Sequence, residues 1–495
     1  MAIKRYVADA DNTITNAFES DLVTRGTGSN MGAADSLEVF SLYGQVSASS
    51  GLTSELSRIL IKFPVNNIIV DRAASTIPAS GSVSFYLKMY NAEHPFTLAR
   101  DFKLLVSPVS SSWEEGYGLD MEEYKDITYD TTGSNWVNAS GSSSVGIGAW
   151  PTAGGDYLTA QRNLLTASFP SGWEDLELDI STIVEDWIQL SDGSADKYEN
   201  YGLGIRLTSS QENAGQSYYT KKFFARTTEF FFKRPVIEAR WDSRTKDDRG
   251  NFYYSSSLAP AADNLNTLYF YNYVRGRLVN IPAIGAERIL VSLYSGSSAP
   301  TGSKLTLYDG NTNITGGHVS TGLYTASVAI TAAATPLTKL FDVWHSGSTE
   351  YVTSSLTPLT LAAYNNAPTF EHITAITNLK SEYSRQEDAR LRLFVRQKNW
   401  NPNIYNVATS TVPNETIVSA SYKIVRMTDD LDVISYGTGS DKHTYLSYDV
   451  SGNYLDLDVS LLEAGYAYGV KFSYYNPSIS SWVQQPETFK FRVEE

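Results

Sequence analysis

Ser82-Val83-Ser84-Phe85-Tyr86-Leu87-Lys88-Met89-Tyr90 alternates large apolar residues with small or polar ones, position by position. Successive side chains of a β-strand point to opposite faces, so Val83, Phe85, Leu87 and Met89 share one face and Ser82, Ser84, Tyr86 and Lys88 the other. The stretch predicts a strand with one face in a core, and Lys103–Val106 is the candidate to pair beside it. The same period returns at Arg390–Arg396, where Leu391, Leu393 and Val395 alternate with Arg392, Phe394 and Arg396. Composition points the same way: 33 Tyr, 20 Phe and 34 Gly against 19% charged residues suit pleated strands and Gly-rich turns. The expected fold class is all-β.

A chain of 495 residues exceeds what one core usually organises. The charged stretch Arg244–Gly250 and the run Asn365-Asn366-Ala367-Pro368 are the candidate boundaries, giving domains 1–243, 244–366 and 367–495. In the first, Ile180, Ile183, Val184, Trp187 and Ile188 recur at helical spacing, with Ser181 or Asp179 as N-cap. This one short helix is expected across an end of a sandwich with Trp187 buried. In the second, Leu268–Val274, Ile289–Tyr294, Lys304–Tyr308, Tyr324–Ile330, Phe341–Trp344 and Tyr351–Leu361 read as strands of an immunoglobulin-like sandwich. In the third, Arg390–Arg396, Ile417–Val425, Tyr454–Val459, Tyr466–Tyr474 and Thr488–Val493 read as strands of another.

The net charge of −15 opposes general phosphate binding, which needs a local Lys/Arg excess, so no nucleic-acid partner is expected. The absence of cysteine removes disulfides and Cys-based zinc or redox sites. No apolar run approaches the roughly 18 residues of a membrane span, and no signal-peptide core follows Met1, so the chain is expected to be made in the cytoplasm. The five histidines are scattered and fall in no metal-ligand spacing, and neither a nucleophile elbow nor a phosphate loop occurs. No catalytic residue and no enzymatic activity are expected.

The acidic stretch after Trp113 holds enough oxygens for calcium, which takes six to eight, and Asp120, Glu122 and Glu123 are the candidate ligands. The Asp-x-Asx-x-Asx-Gly spacing of a calcium-binding loop is missing, and an acidic solvated loop needs no ion. Calcium is therefore the one candidate cofactor. Trp113, Trp136, Trp150 and Trp173, with Tyr117, Tyr124 and Tyr157, are candidates for an aromatic platform under a sugar ring; the alternative is that they fill a core and pin loops. Packing is favoured for Trp113. Trp136 and Trp150, within the Ser/Gly-rich stretch Asn135–Gly155, are the carbohydrate-binding candidates.

Four signatures occur in a fixed order: Arg58-Ile-Leu-Ile-Lys-Phe63; Ser112-Trp113-Glu114; Asp179-Ile180-Ser181 to Trp187 followed by Asn200-Tyr201-Gly202-Leu203; and Lys222-Phe223-Phe224 leading to Arg234-Pro235-Val236-Ile237-Glu238. In that order they resemble the DNRLRE domain, a jelly-roll module of microbial surface proteins overlapping with certain carbohydrate-binding modules, over roughly residues 1–242. The six-residue motif that names the family does not occur. The opening Met1–Phe18, Thr27–Gly32, Gly118–Tyr124 and Gln397–Tyr405 resemble structural proteins of marine tailed phages, including those infecting cyanobacteria. The resemblance implies a multicopy virion component: a neck, collar or tail appendage, or a capsid decoration. Its partners would be other copies of itself and other virion proteins. The alternative is a carbohydrate-binding adhesin module contacting host surface polysaccharide.

Overall fold

The computed structural model describes residues 2–18, 23, 25–43, 54–93, 98–119, 133–140, 148–190, 198–214, 218–257, 259–331, 337–359, 371–398, 400 and 414–495. The fold is all-β, with short helices. Two compact units emerge: Ala2–Asp242 with Gly439–His443, and Ser243–Thr438 with Thr444–Glu495.

The first unit contains β1 (Ile3–Val7), β2 (Ala10–Thr15), β3 (Ser36–Tyr43), β4 (Ser54–Lys62), β5 (Ser84–Met89), β6 (Phe102–Pro108), β7 (Leu165–Phe169), β8 (Leu176–Asp179), β9 (Leu203–Leu207), β10 (Tyr218–Phe224) and β11 (Val236–Arg240). One sheet runs β1-β11-β5-β8 and the other β10-β3-β4-β9-β6-β7, with β2 also on β4. Both sheets feed one core: Phe85, Leu87, Ile237 and Leu176 come from the first, and Val39, Ile59, Ile61, Leu104 and Ile205 from the second. The arrangement is a β-sandwich. Phe85, Leu87 and Met89 are wholly buried, as their alternation requires. Lys103–Val106, expected beside that strand, lies in β6 of the opposite sheet, paired with β7 and β9. Alternation fixes which face of a strand is apolar, and it leaves open which sheet the strand joins.

Where one helix was expected, the described residues of the first unit form three: α1 (Val65–Ala73), α2 (Ser181–Leu190) and α3 (Ser209–Glu212). In α2 the Asp179 carboxylate accepts from the Ser181 N–H (2.9 Å) and hydroxyl (2.6 Å), and Ile183, Val184, Trp187 and Ile188 are buried. Helix α1 was hidden because Ile68, Ile69 and Val70 favour strands in isolation, and tertiary packing of Val65 and Ile68 overrides that preference. Two buried charges lock the sandwich. Glu238 on β11 meets Arg5 and Arg240 at 2.7 Å each. Burial opposes its charge, but the cations of Arg5, Lys88 and Arg240 outweigh this and hold the carboxyl well below the usual range. On β10, Lys221 is fully buried and donates to Asn91 Oδ1 (2.6 Å) and to the carbonyls of Gly172 (2.8 Å) and Glu174 (2.7 Å).

In the second unit, β12 (Asn266–Tyr271), β15 (Ile289–Ser295), β16 (Ile314–Ser320), β17 (Leu323–Val328), β18 (Leu340–Ser346) and β19 (Thr349–Leu356) form one sheet in the order β12-β17-β16-β15-β18-β19, while β13 (Tyr273–Val274) and β14 (Arg277–Leu278) make a small hairpin. Lys304–Tyr308, expected as a strand, is not one. Lys304 makes a single antiparallel bridge to Tyr294 of β15, after which Leu307 N–H goes to Asn311 and Tyr308 N–H to Ala329, so the ladder is not continued. Its place is taken by β16, whose Gly316-Gly317 pair obscures the strand pattern.

The remaining strands are β20 (His372–Ile376), β21 (Glu382–Ser384), β22 (Asp388–Gln397), β23 (Ala420–Arg426), β24 (Leu431–Ile434), β25 (Ser447–Asp449), β26 (Gly452–Asp458), β27 (Ala467–Asn476), β28 (Ser481–Gln484) and β29 (Phe489–Glu494). They form the sheets β20-β22-β26-β25 and β21-β29-β27-β23-β24, with β28 on β27. Leu391, Leu393 and Val395 of β22 are buried on one face, as read from their alternation.

Candidate functional site

Arg58 of β4, the first residue of the first signature, stands at the centre of a polar cluster in the first unit. Its Nε and Nη2 bond both Glu212 oxygens (3.0 and 2.7 Å), and Nη1 donates to the Gly154 carbonyl at 2.8 Å. The guanidinium lies 5.1 Å from the Trp136 ring and 5.8 Å from that of Tyr157. Tyr157 in turn donates to Gly154 O (2.8 Å) and lies 4.4 Å from the Arg206 guanidinium, whose Nη1 donates to Ser107 Oγ. Burial pushes the Tyr157 phenol up and the Arg206 guanidinium down. Gly154 must be glycine: φ is +91°, and a Cβ would sit 2.8 Å from Arg58 Nη1 and from the Trp136 ring.

The two carbohydrate-binding candidates belong to this cluster. Trp136 and Trp150 are 7% and 5% exposed, packed with Ile14, Leu60, Val109 and Ala139. Trp150 Nε1 donates to Asn135 O at 2.8 Å and the Gly154 N–H to Trp136 O at 2.6 Å. The two rings pin their loop from inside, and the free indole faces that stacking on a sugar requires are not found at these positions. Trp113 is also held in place, its Nε1 donating to Tyr201 O at 2.7 Å. Trp173 and Tyr117 are exposed at 61% and 63%. The proposed platform is thus divided between core and surface, and Tyr124 lies outside the described residues.

Asp120, Glu122 and Glu123, the candidate calcium ligands, lie outside the described residues as well. Among the described residues no group of three or more His, Asp or Glu is placed to hold a metal ion. The segments flanking the acidic stretch are anchored on Asn30, whose Nδ2 donates to the carbonyls of Glu115 and Ser134 (2.7 Å each) and whose Oδ1 accepts from the N–H of Gly118 at 2.9 Å. Beside them Arg226 bonds both Glu115 oxygens at 2.5 Å, and Asp11 accepts from the Arg226 N–H at 2.7 Å. Asp11 is fully buried and its Oδ1 has no hydrogen-bond partner. Burial pushes its carboxyl up to about 7.

Sequence reasoning missed Arg206 and Glu212. An arginine inside Leu203-Gly-Ile-Arg-Leu207, otherwise an apolar strand, was the available signal for the first. It also missed a cleft of about 850 Å³ in the second unit, whose lining includes Asp248, Tyr253, Asp263, Trp400 and Glu415. No helix among the described residues is long and apolar enough to cross a membrane.

Compared with known proteins, the chain matches no family model and no curated protein. Among solved structures it is similar to the N-terminal Ig1-2 module of the Drosophila receptor protein tyrosine phosphatase DLAR, at 8% identity over 47% of this chain and 91% of that one, with a TM-score of 0.14. A superposition of that quality establishes neither a common fold nor a common function.

Proposed function

We propose that this chain is a structural protein of a tailed-phage virion, in a neck, collar or tail appendage or as a capsid decoration. In this reading its N-terminal unit is a DNRLRE-type jelly roll and it acts through protein–protein contacts rather than catalysis. The observation that carries the reading is the use the fold makes of signature residues: Arg58, Trp113, Trp187, Asn200, Phe223 and Glu238 each bond or pack against the body of the first unit. Arg58 ties β4 to α3 through Glu212. Asn200 donates to the carbonyl of Phe63, the last residue of the first signature, at 2.8 Å, and Trp113 donates to Tyr201 in the third. Trp187 and Phe223 sit in the core, and Glu238 is caged by cations. Signatures spent on architecture support a building-block role, because a module that is used by assembling must above all hold its shape.

The test is mass spectrometry and electron microscopy of gradient-purified virions. The chain is expected at a fixed multicopy ratio to the capsid protein, in density outside the genome. Its absence from virions produced by cells that express it overturns the assignment.

A further inference from the structure

In the second unit a cavity of about 350 Å³ is lined by Asp247, Tyr269, Tyr271, Tyr273, Arg390 and Asp449, among others. Its size falls within the roughly 300–1,000 Å³ of small-molecule sites. Tyr269 and Tyr271 are two apart on β12 and so share a face, with ring centroids 6.2 Å apart and planes inclined by 31°. The Tyr271 hydroxyl oxygen is buried and has no hydrogen-bond partner. Buried hydroxyls are almost always paired, so this one calls for an explanation, and a ligand that displaces the side chains now covering it supplies one. Two acidic residues line the same space. Asp247 is buried and accepts from the Arg249 N–H at 3.2 Å, and Asp449 accepts from Arg392 at 2.7 Å.

The chemistry of the lining selects among ligands. A phosphate or carboxylate ligand would meet Asp247 and Asp449 and find the cations already engaged: Arg249 on both Asp342 oxygens, Arg390 on Asp456 and Arg392 on Asp449. A wholly apolar ligand would leave the carboxylates and the Tyr271 hydroxyl unsatisfied. A saccharide unit meets both demands, since its hydroxyls donate to carboxylates and accept from a phenol while its C–H face lies on aromatic rings. We propose that this cavity binds a neutral saccharide unit, with the Tyr271 hydroxyl and the Asp247 carboxylate as its polar contacts. The proposal goes beyond an assembly role and stands apart from it.

The experiment is saturation-transfer NMR on the full chain with methyl α-glucoside, methyl β-galactoside, methyl α-mannoside and N-acetylglucosamine, and in a second arm dextran and galactomannan. Transfer from at least one probe is expected. Tighter binding of a polymer assigns the site to a unit within a polysaccharide, and equal or tighter binding of a glycoside assigns it to free sugar. Tyr271→Phe deletes one hydroxyl and is expected to weaken binding roughly tenfold or more while leaving the melting midpoint in place. Asp247→Asn gives the same reading should Tyr271→Phe prove unstable. No transfer from any probe, or transfer unchanged by both substitutions, overturns the proposal.

Discussion

Arg58 shows how one side chain is committed to the fold. Its three donor nitrogens reach Glu212 and Gly154, and removing it leaves Glu212 as a buried charge without that partner. Arg58→Met is therefore expected to destabilise the first unit by roughly 3–5 kcal/mol, read by urea denaturation, and Arg58→Lys to rescue only part, because an ammonium cannot reproduce the bidentate fork. Asp11 gives the opposite kind of prediction. Its carboxyl titrates near 7 when folded and near 3.8 otherwise, so folding takes up a proton between those values. Asp11's contribution is then best below about pH 4 and is lost as pH rises to about 7. Asp11→Asn should flatten the fall in stability between pH 4 and 7 and raise the melting midpoint at pH 8; a midpoint lowered at both pH values would contradict this. Little of this was legible in the sequence. Arg58 announces itself at the head of an apolar signature, but Glu212 lies 154 residues further along, and nothing local marks it as the partner.

At the level of single elements, local pattern carried much further. Helix α2 was readable because its five apolar positions follow one period and Asp179 caps it, whereas α1, written in Asn, Ile and Val, takes its conformation from what it packs on. Trp187→Ala should destabilise the first unit by roughly 3–5 kcal/mol. Because the indole N–H is buried without a partner, Trp187→Phe should cost far less, and equal losses in the two variants would show that the N–H is bonded after all. Strand β9 offers a sharper case. A Cβ on Gly204 would fall 2.0 Å from Tyr157 Cε1, and Tyr157 is held by its bond to Gly154. Gly204→Ala is expected to cost roughly 1–3 kcal/mol by overpacking, visible as a lowered thermal midpoint. The candidate site failed at this scale for a related reason: Trp136 and Trp150 sit in a loop of small polar residues that looks exposed on paper, and only the fold shows Leu60 and Val109 against them.

For the whole molecule, all-β character was legible because it is a property of composition and period, which need no partner. Sheet membership was not, since β6 and β5 carry the same pattern and join different sheets. A virion component is expected to self-associate, with stable contacts above roughly 1,000 Å², and light scattering showing only monomer, together with a single copy per virion, would contradict this. The buried Lys221 has a practical consequence for watching such a molecule at work. Burial pulls its amine down to about 8, so much of it is unprotonated in mildly alkaline buffer, the form that attacks acylating reagents. Yet the amine is sealed beneath Phe169 and Phe223, with three oxygens accepting from it. Acylation at Lys221 thus records only those moments when the sandwich parts, which makes this residue an intrinsic clock for its breathing, in isolation or in an assembled particle.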